Sequence, residues 1–160
     1  MKYEDTFDVI KEGKIKIKGG IEISSNYYKK EQELQKHIIN NIEKFTCEFL
    51  EDKLVSYEAE KRVDKYRLRG KRIDLFIKGI KKEYIIEFKN PKYKCENIQA
   101  IGQILDYKRK LDRFSDSKKE MIIITTLFDI DTARTIKYYN LPIRYIFVDE
   151  KHFMEYLYEE

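Results

Sequence analysis

Two hydrophobic periods alternate along the chain, and their changes of phase divide it into elements. In residues 14–24, "KIKIKGGIEIS", Ile alternates with Lys up to Gly19-Gly20 and then with polar residues again, which predicts a β-hairpin. From residue 31 to 50 the apolar positions Leu34, Ile38, Ile42, Phe45 and Phe49 recur at helical spacing and predict an amphipathic helix. Residues 54–67 read as a strand, Arg69-Gly70-Lys71 as a turn, "RIDLFIKG" as a second strand and "KKEYIIEFK" as a third. Asn90-Pro91 ends the third strand, because proline has no N–H to donate to a ladder. A long helix is expected over residues 96–113. After it come strand "EMIIITT", helix "DIDTARTIKYYN", strand "IRYIFVD" and a final helix "KHFMEYLYE".

The order hairpin, α, β-β-β, α, β, α, β, α predicts an α/β domain with a mixed sheet and helices on both faces. The run "MIIIT" is apolar at every position, as a central strand covered on both sides must be. No repeat, low-complexity stretch or Pro/Gly/Ser-rich linker interrupts the 160 residues, so one domain is expected.

Composition narrows the picture little. The 33 basic and 29 acidic residues leave a formal charge of +4, which permits a polyanionic partner without demanding one. Cys47 and Cys95 show no C-x-x-C spacing and form no ligand pattern with His37 and His152, so zinc is not expected and the cysteines read as reduced thiols. A polar start and the lack of a long apolar run predict neither signal peptide nor membrane span, hence a cytoplasmic location.

The unusual feature is "YIIEFKNPKY", residues 84–93. Tyr84, Ile86 and Phe88 fall on one face of the strand; Ile85, Glu87 and Lys89 fall on the other. On the preceding strand Asp74 interrupts an otherwise apolar run between Ile73 and Leu75. Antiparallel pairing through a turn at Gly79 brings Asp74 near Glu87. Two carboxylates about 4 Å apart repel by about 4 kcal/mol at an effective dielectric near 20, unless one is protonated or a cation lies between them. A hard divalent metal satisfies such a pair, since Mg²⁺ uses one or two carboxylates with waters and phosphate. Lys89 is no metal ligand, but beside one it can orient or deprotonate a water, or stabilise charge on a phosphate.

Asp74 followed by Glu87-Phe88-Lys89 on the next strand, with an acid on the preceding helix, resembles the PD-(D/E)XK nuclease superfamily. "RGKRIDLF", "EYIIEFKNPKY" and "AIGQILDYKR" are most similar to its RecB-like branch and to the catalytic domain of the archaeal NucS-type endonucleases. The resemblance spans roughly residues 31–148 and leaves residues 1–26 as an added N-terminal hairpin. It implies a restriction-endonuclease-like fold and a phosphodiester hydrolase using Mg²⁺ or Mn²⁺. Asp74, Glu87 and the Phe88 carbonyl would be metal ligands. Lys89 would act on the water, and Gln103 and Tyr107, one turn apart on one helix face, would support the site. For the helical acid, Glu31 continues the apolar stripe through Leu34 and Ile38 and is preferred; Glu33 is the reserve.

Lys71, Arg72, Lys92, Lys94, Lys108 and Arg109 flank these positions, with Lys110 beyond, and are candidates for phosphate contacts. The expected substrate is DNA, with RNA left open, cut at single strands, flaps or junctions. No second DNA-reading domain is apparent, which leaves room for a homodimer or a larger nuclease complex. The rival reading is a DNA-binding or interaction subunit that keeps the fold without cleaving. No nucleophile elbow, P-loop or G-x-G-x-x-G points to another enzyme class.

Overall fold

The computed structural model describes residues 15–18, 31–63, 71–148 and 153–158, with residues 15–18 and Lys94 described in their backbone only. These residues build one seven-stranded mixed sheet: β1 (Ile15–Lys18), β2 (Leu54–Arg62), β3 (Arg72–Gly79), β4 (Glu83–Lys89), β5 (Lys119–Thr125), β6 (Ile143–Val148) and β7 (Phe153–Tyr156), in the order β1-β7-β6-β5-β4-β3-β2. β2, β3 and β4 form an antiparallel meander; β4, β5 and β6 are parallel. The parallel steps need crossover helices, supplied by α2 (Asn97–Asp112) and α3 (Ile130–Tyr138). Helix α1 (Glu31–Asn40) covers the other face, so the sheet carries helices on both sides as expected.

Alternation in the central strands follows this layering. In β5, Met121 and Ile123 pack under α2 and α3, whereas Ile122 and Ile124 pack under α1. The helix expected over residues 31–50 is broken: Asn41 ends α1, Ile42–Lys44 form a further turn, and Phe45–Phe49 are π-helical. That wider turn brings Phe45 and Phe49 into a stack with centroids 5.4 Å apart, both edge-on to Phe153. Asp129 caps α3 by accepting the N–H groups of Asp131 and Thr132. Asn97 at the start of α2 is buried; its amide donates to the Leu127 carbonyl (2.6 Å) and accepts from Thr125 Oγ1 (2.8 Å).

The last expected helix needs correction. The final "KHFMEYLYE" is no helix: Phe153–Tyr156 form β7, paired to β6 and to β1, and all four residues are buried. Glu155 is tolerated there because Arg144 of β6 forks onto it at 2.9 and 2.7 Å. The described partner of β1 is β7; the expected hairpin turn at Gly19-Gly20 and its second arm lie outside the described residues, as do the turn at Arg69-Gly70 and the end of the strand expected to reach residue 67. Tyr156 packs in the core against Phe128 and Tyr158. Among the described residues no helix is long and apolar enough to cross a membrane.

The β3–β4 turn is held by a buried acid. Asp52 accepts the backbone N–H groups of Lys53, Lys81 and Lys82 and the Tyr84 hydroxyl. Burial pushes its carboxyl up, but these four donors together outweigh burial and hold it below the ordinary aspartate range. Gly79 makes the approach feasible, since a Cβ there would collide with the Asp52 carboxylate.

Candidate active site

The β3–β4 ladder runs through Ile77↔Tyr84, Phe76↔Ile85 and Leu75↔Ile86 and stops. One step further Asp74 lies across from Glu87, but side chains have replaced the backbone pairing. Asp74 Oδ2 accepts the Phe88 N–H at 2.8 Å, and the Asp74 carbonyl accepts the Gln35 side-chain amide of α1 at 2.7 Å. On its other edge β4 stays paired to β5 through Lys89↔Thr125, and the Thr126 N–H donates to the Lys89 carbonyl at 3.0 Å. The sheet therefore forks at Glu87–Lys89. In an extended strand a residue's N–H and C=O point to the same edge, so the Phe88 carbonyl faces the Asp74 side of the fork.

The fork crowds charge. Glu87 is only 5 % exposed, and its Oε2 has no hydrogen-bond partner among the described residues. Burial, then the Asp74 charge, drives the Glu87 carboxyl far above its ordinary value, with Lys89 opposing and Glu31 adding to the rise. Asp74 is raised as well: burial leads, the Phe88 N–H counteracts, and the charges of Glu60 and Glu31 add to it. Tyr107, buried on α2, has its phenol pushed up by burial and then by Glu87 and Asp74. Gln103, one turn earlier, buries an amide oxygen with no partner among the described residues.

Glu60 and Glu31 thus bear on Asp74, and Asp74 and Glu31 bear on Glu87, with Lys89 opposing at both. Among the described residues, no three His, Cys, Asp or Glu side chains are placed to hold a metal ion by themselves. A hard divalent cation that takes one or two carboxylates and completes its shell with carbonyl, water and phosphate oxygens fits the donors present. The unpartnered Glu87 Oε2 and the raised carboxyls are what a cation would relieve.

Of the residues singled out from sequence, Asp74, Glu87, Lys89 and Tyr107 meet at the fork. Glu31, at the exposed start of α1, bears on both Asp74 and Glu87; Glu33 lies in the same exposed first turn. The basic candidates separate. Lys71 and Arg72 are exposed, and Lys92 lies over the Tyr93 ring at 5.5 Å. Lys108 pairs with Asp112 (2.6 Å), and Arg109 and Lys110 pair with Asp106 (2.9 and 3.1 Å) on their own helix. The side chain of Lys94 lies outside the described residues.

Sequence reasoning misses Glu60 and Gln35. Glu60 sits among charged, exposed positions of β2, and only the strand register sets it across from Asp74. Its backbone φ of 54° is left-handed, a conformation that costs a non-glycine residue about 1–3 kcal/mol. Comparison with protein-family models, with curated proteins and with solved structures returned no match.

Proposed function

We propose that the chain is a metal-dependent nuclease that hydrolyses phosphodiester bonds of DNA, with a restriction-endonuclease-like core. The observation that carries this reading is the Asp74–Glu87 pair: two acids from adjacent strands at a fork, one nearly buried with an unpartnered oxygen, and a lysine two residues further on. Without a cation the pair is costly, because two like-charged groups stand close together out of water. The order α1, β2-β3-β4, α2, β5 around the fork, a mixed sheet with helices on both faces, is in keeping with that reading.

Asp74 and Glu87 would hold Mg²⁺ or Mn²⁺ with the Phe88 carbonyl, and Glu31 would contribute directly or through water. The bound ion supplies charge stabilisation at the phosphate and a more acidic water. Lys89 is half-buried, so its amine acts where bulk water screens it weakly, and it would orient the attacking water or take its proton. Asp74 is kept in place by two bonds that do not use both its carboxylate oxygens: Oδ2 on the Phe88 N–H, and its carbonyl on Gln35. Gln103 would position Lys89 or the scissile phosphate through its amide, and Tyr107, held as a neutral phenol, can donate a hydrogen bond.

The test is cleavage of a labelled set (single strand, duplex, flap, four-way junction and RNA) with Mg²⁺ or Mn²⁺, beside Glu87→Ala and Lys89→Ala. Cutting that needs metal and is lost in both variants supports the reading. Binding without cutting favours the rival, a non-catalytic interaction subunit. Cutting that survives both substitutions removes Glu87 and Lys89 from the mechanism.

A further inference from the structure

Three consecutive strands each bring one acid to the same level of the sheet. The β2–β3 register runs Ala59↔Leu75 and Lys61↔Ile73, which sets Glu60 across from Asp74; the β3–β4 register, extended by one residue, sets Asp74 across from Glu87. Asp74 is thus the middle of a row from Glu60 on β2 to Glu87 on β4. The Gln35 amide nitrogen donates to Glu60 Oε1 at 3.2 Å and to the Asp74 carbonyl at 2.7 Å. One side chain from α1 therefore ties the outer acid to the backbone of the middle one. A neutral amide fixes the direction of the Glu60 carboxylate and leaves its charge intact.

A row of acids is common on a charged surface and by itself indicates nothing. What makes this one a site is its inner end, where Glu87, 5 % exposed, has an oxygen with no partner among the described residues. A carboxyl buried in that way either keeps its proton or takes a cation in its place, a choice no exposed acid faces. Glu60 lies on the open side of Asp74, with its side chain exposed.

We propose that Glu60 is a third strand-borne acid of the cation site, a positioning residue that acts through Asp74 and the shared Gln35 amide to raise the affinity for a divalent cation. The inference rests on the metal-dependent reading above. A full negative charge one strand away from a doubly charged ion, partly screened by water, is worth roughly a tenfold change in affinity. The left-handed backbone of Glu60, at the position whose carboxylate meets the Gln35 amide, is then a conformation held for the site's sake.

The experiment is Mn²⁺ titration of the full chain by calorimetry, with thermal melting of the metal-free protein, for the wild type, Asp74→Asn, Glu60→Gln and Glu60→Asp. The wild type is expected to bind Mn²⁺ and Asp74→Asn to lose it. Glu60→Gln should bind about tenfold more weakly, with a metal-free melting midpoint unchanged or higher, because repulsion against Asp74 is relieved. Glu60→Asp should lie nearer the wild type. Unchanged affinity in Glu60→Gln, with Asp74→Asn still abolishing binding, overturns the role of Glu60 and leaves the metal reading standing. Weaker binding with a matching fall of the metal-free midpoint makes Glu60 a structural residue and also overturns it. Failure of the wild type to bind Mn²⁺ overturns the metal reading itself, and this inference with it.

Discussion

The Asp74 carboxylate accepts the Phe88 backbone N–H at 2.8 Å at the point where the β3–β4 ladder ends. A side chain has taken the place of a strand's carbonyl. Asp74 therefore has two tasks, closing the fork and carrying charge into it, and the two can be separated. Asp74→Asn keeps an acceptor for the Phe88 N–H while removing the charge that raises Glu87. Its metal-free melting midpoint should be equal to or above that of the wild type. Asp74→Ala strands the N–H and should cost about 1–3 kcal/mol. Both should abolish any stabilisation by Mg²⁺, measured as the shift in midpoint on adding the ion. Stabilisation that persists in either variant would remove Asp74 from the metal site.

Titration of Glu87 gives the metal-free protein an unusual slope with pH. Its carboxyl is raised from an ordinary 4.5 to about 9, chiefly by burial and then by Asp74, so between those values the folded chain holds a proton the unfolded chain has released. Stability should therefore fall as pH rises through that window, the reverse of a salt-bridged carboxylate. Asp74, raised to about 6, adds in the same direction at the lower end. Melting curves from pH 5 to 9 in EDTA, with Glu87→Gln as reference, isolate the effect: the stability gap between Glu87→Gln and wild type should widen with pH. Mg²⁺ competes with the proton and should narrow it again. A gap independent of pH would mean that Glu87 ionises normally.

Much of the fork is legible in the amino-acid sequence. Asp74 stands out because an acid inside an apolar strand run has few innocent explanations, and Glu87 and Lys89 because alternation puts them on one face. Pairing through Gly79 then sets the two acids opposite each other. Glu60 cannot be found this way. β2 reads "LVSYEAEKR", in which Glu58 and Glu60 look alike, and only the register against β3 separates the acid facing Phe76 from the one facing Asp74. Gln35 is hidden for a similar reason, being a polar residue beside a buried leucine whose partners come from two strands. The terminal strand escapes on length. Phe-Met-Glu-Tyr is too short for a period to declare itself, and the Arg144 pairing that makes Glu155 tolerable inside a sheet comes from another strand.

Asp52 and Gly79 form a steric and hydrogen-bonding unit remote from the fork, so they test the scaffold independently. Asp52→Ala leaves the Tyr84 hydroxyl and the N–H groups of Lys53, Lys81 and Lys82 without their acceptor and should cost about 2–4 kcal/mol. Gly79→Ala drives a methyl into the same carboxylate and should cost about 1–3 kcal/mol. In the double variant the collision is gone, so the two costs should fall short of additivity by about 1 kcal/mol or more. Denaturant unfolding of the four proteins measures this directly. Strict additivity would show that the Gly79 methyl is accommodated by backbone movement and not resisted by Asp52.

Basic residues around the fork should divide by how they are already engaged. Lys71 and Arg72 are exposed on the approach to β3, and Lys92 stands just past the end of β4. Lys108 and Arg109 are held by Asp112 and Asp106 on their own helix, so recruiting them to a phosphate means giving up an existing partner. If the chain binds DNA across the fork, Lys71→Ala, Arg72→Ala and Lys92→Ala should each weaken binding to every sequence alike and reduce the slope of log affinity against log salt by about 1. Lys108→Ala and Arg109→Ala should change that slope by less than half as much, by the same counterion arithmetic. Fluorescence anisotropy of a labelled strand between low and moderate salt, in Ca²⁺ to prevent cutting, gives the slopes. A larger loss at Lys108 and Arg109 than at the three exposed positions would place the DNA track along α2 and away from the mouth of the fork.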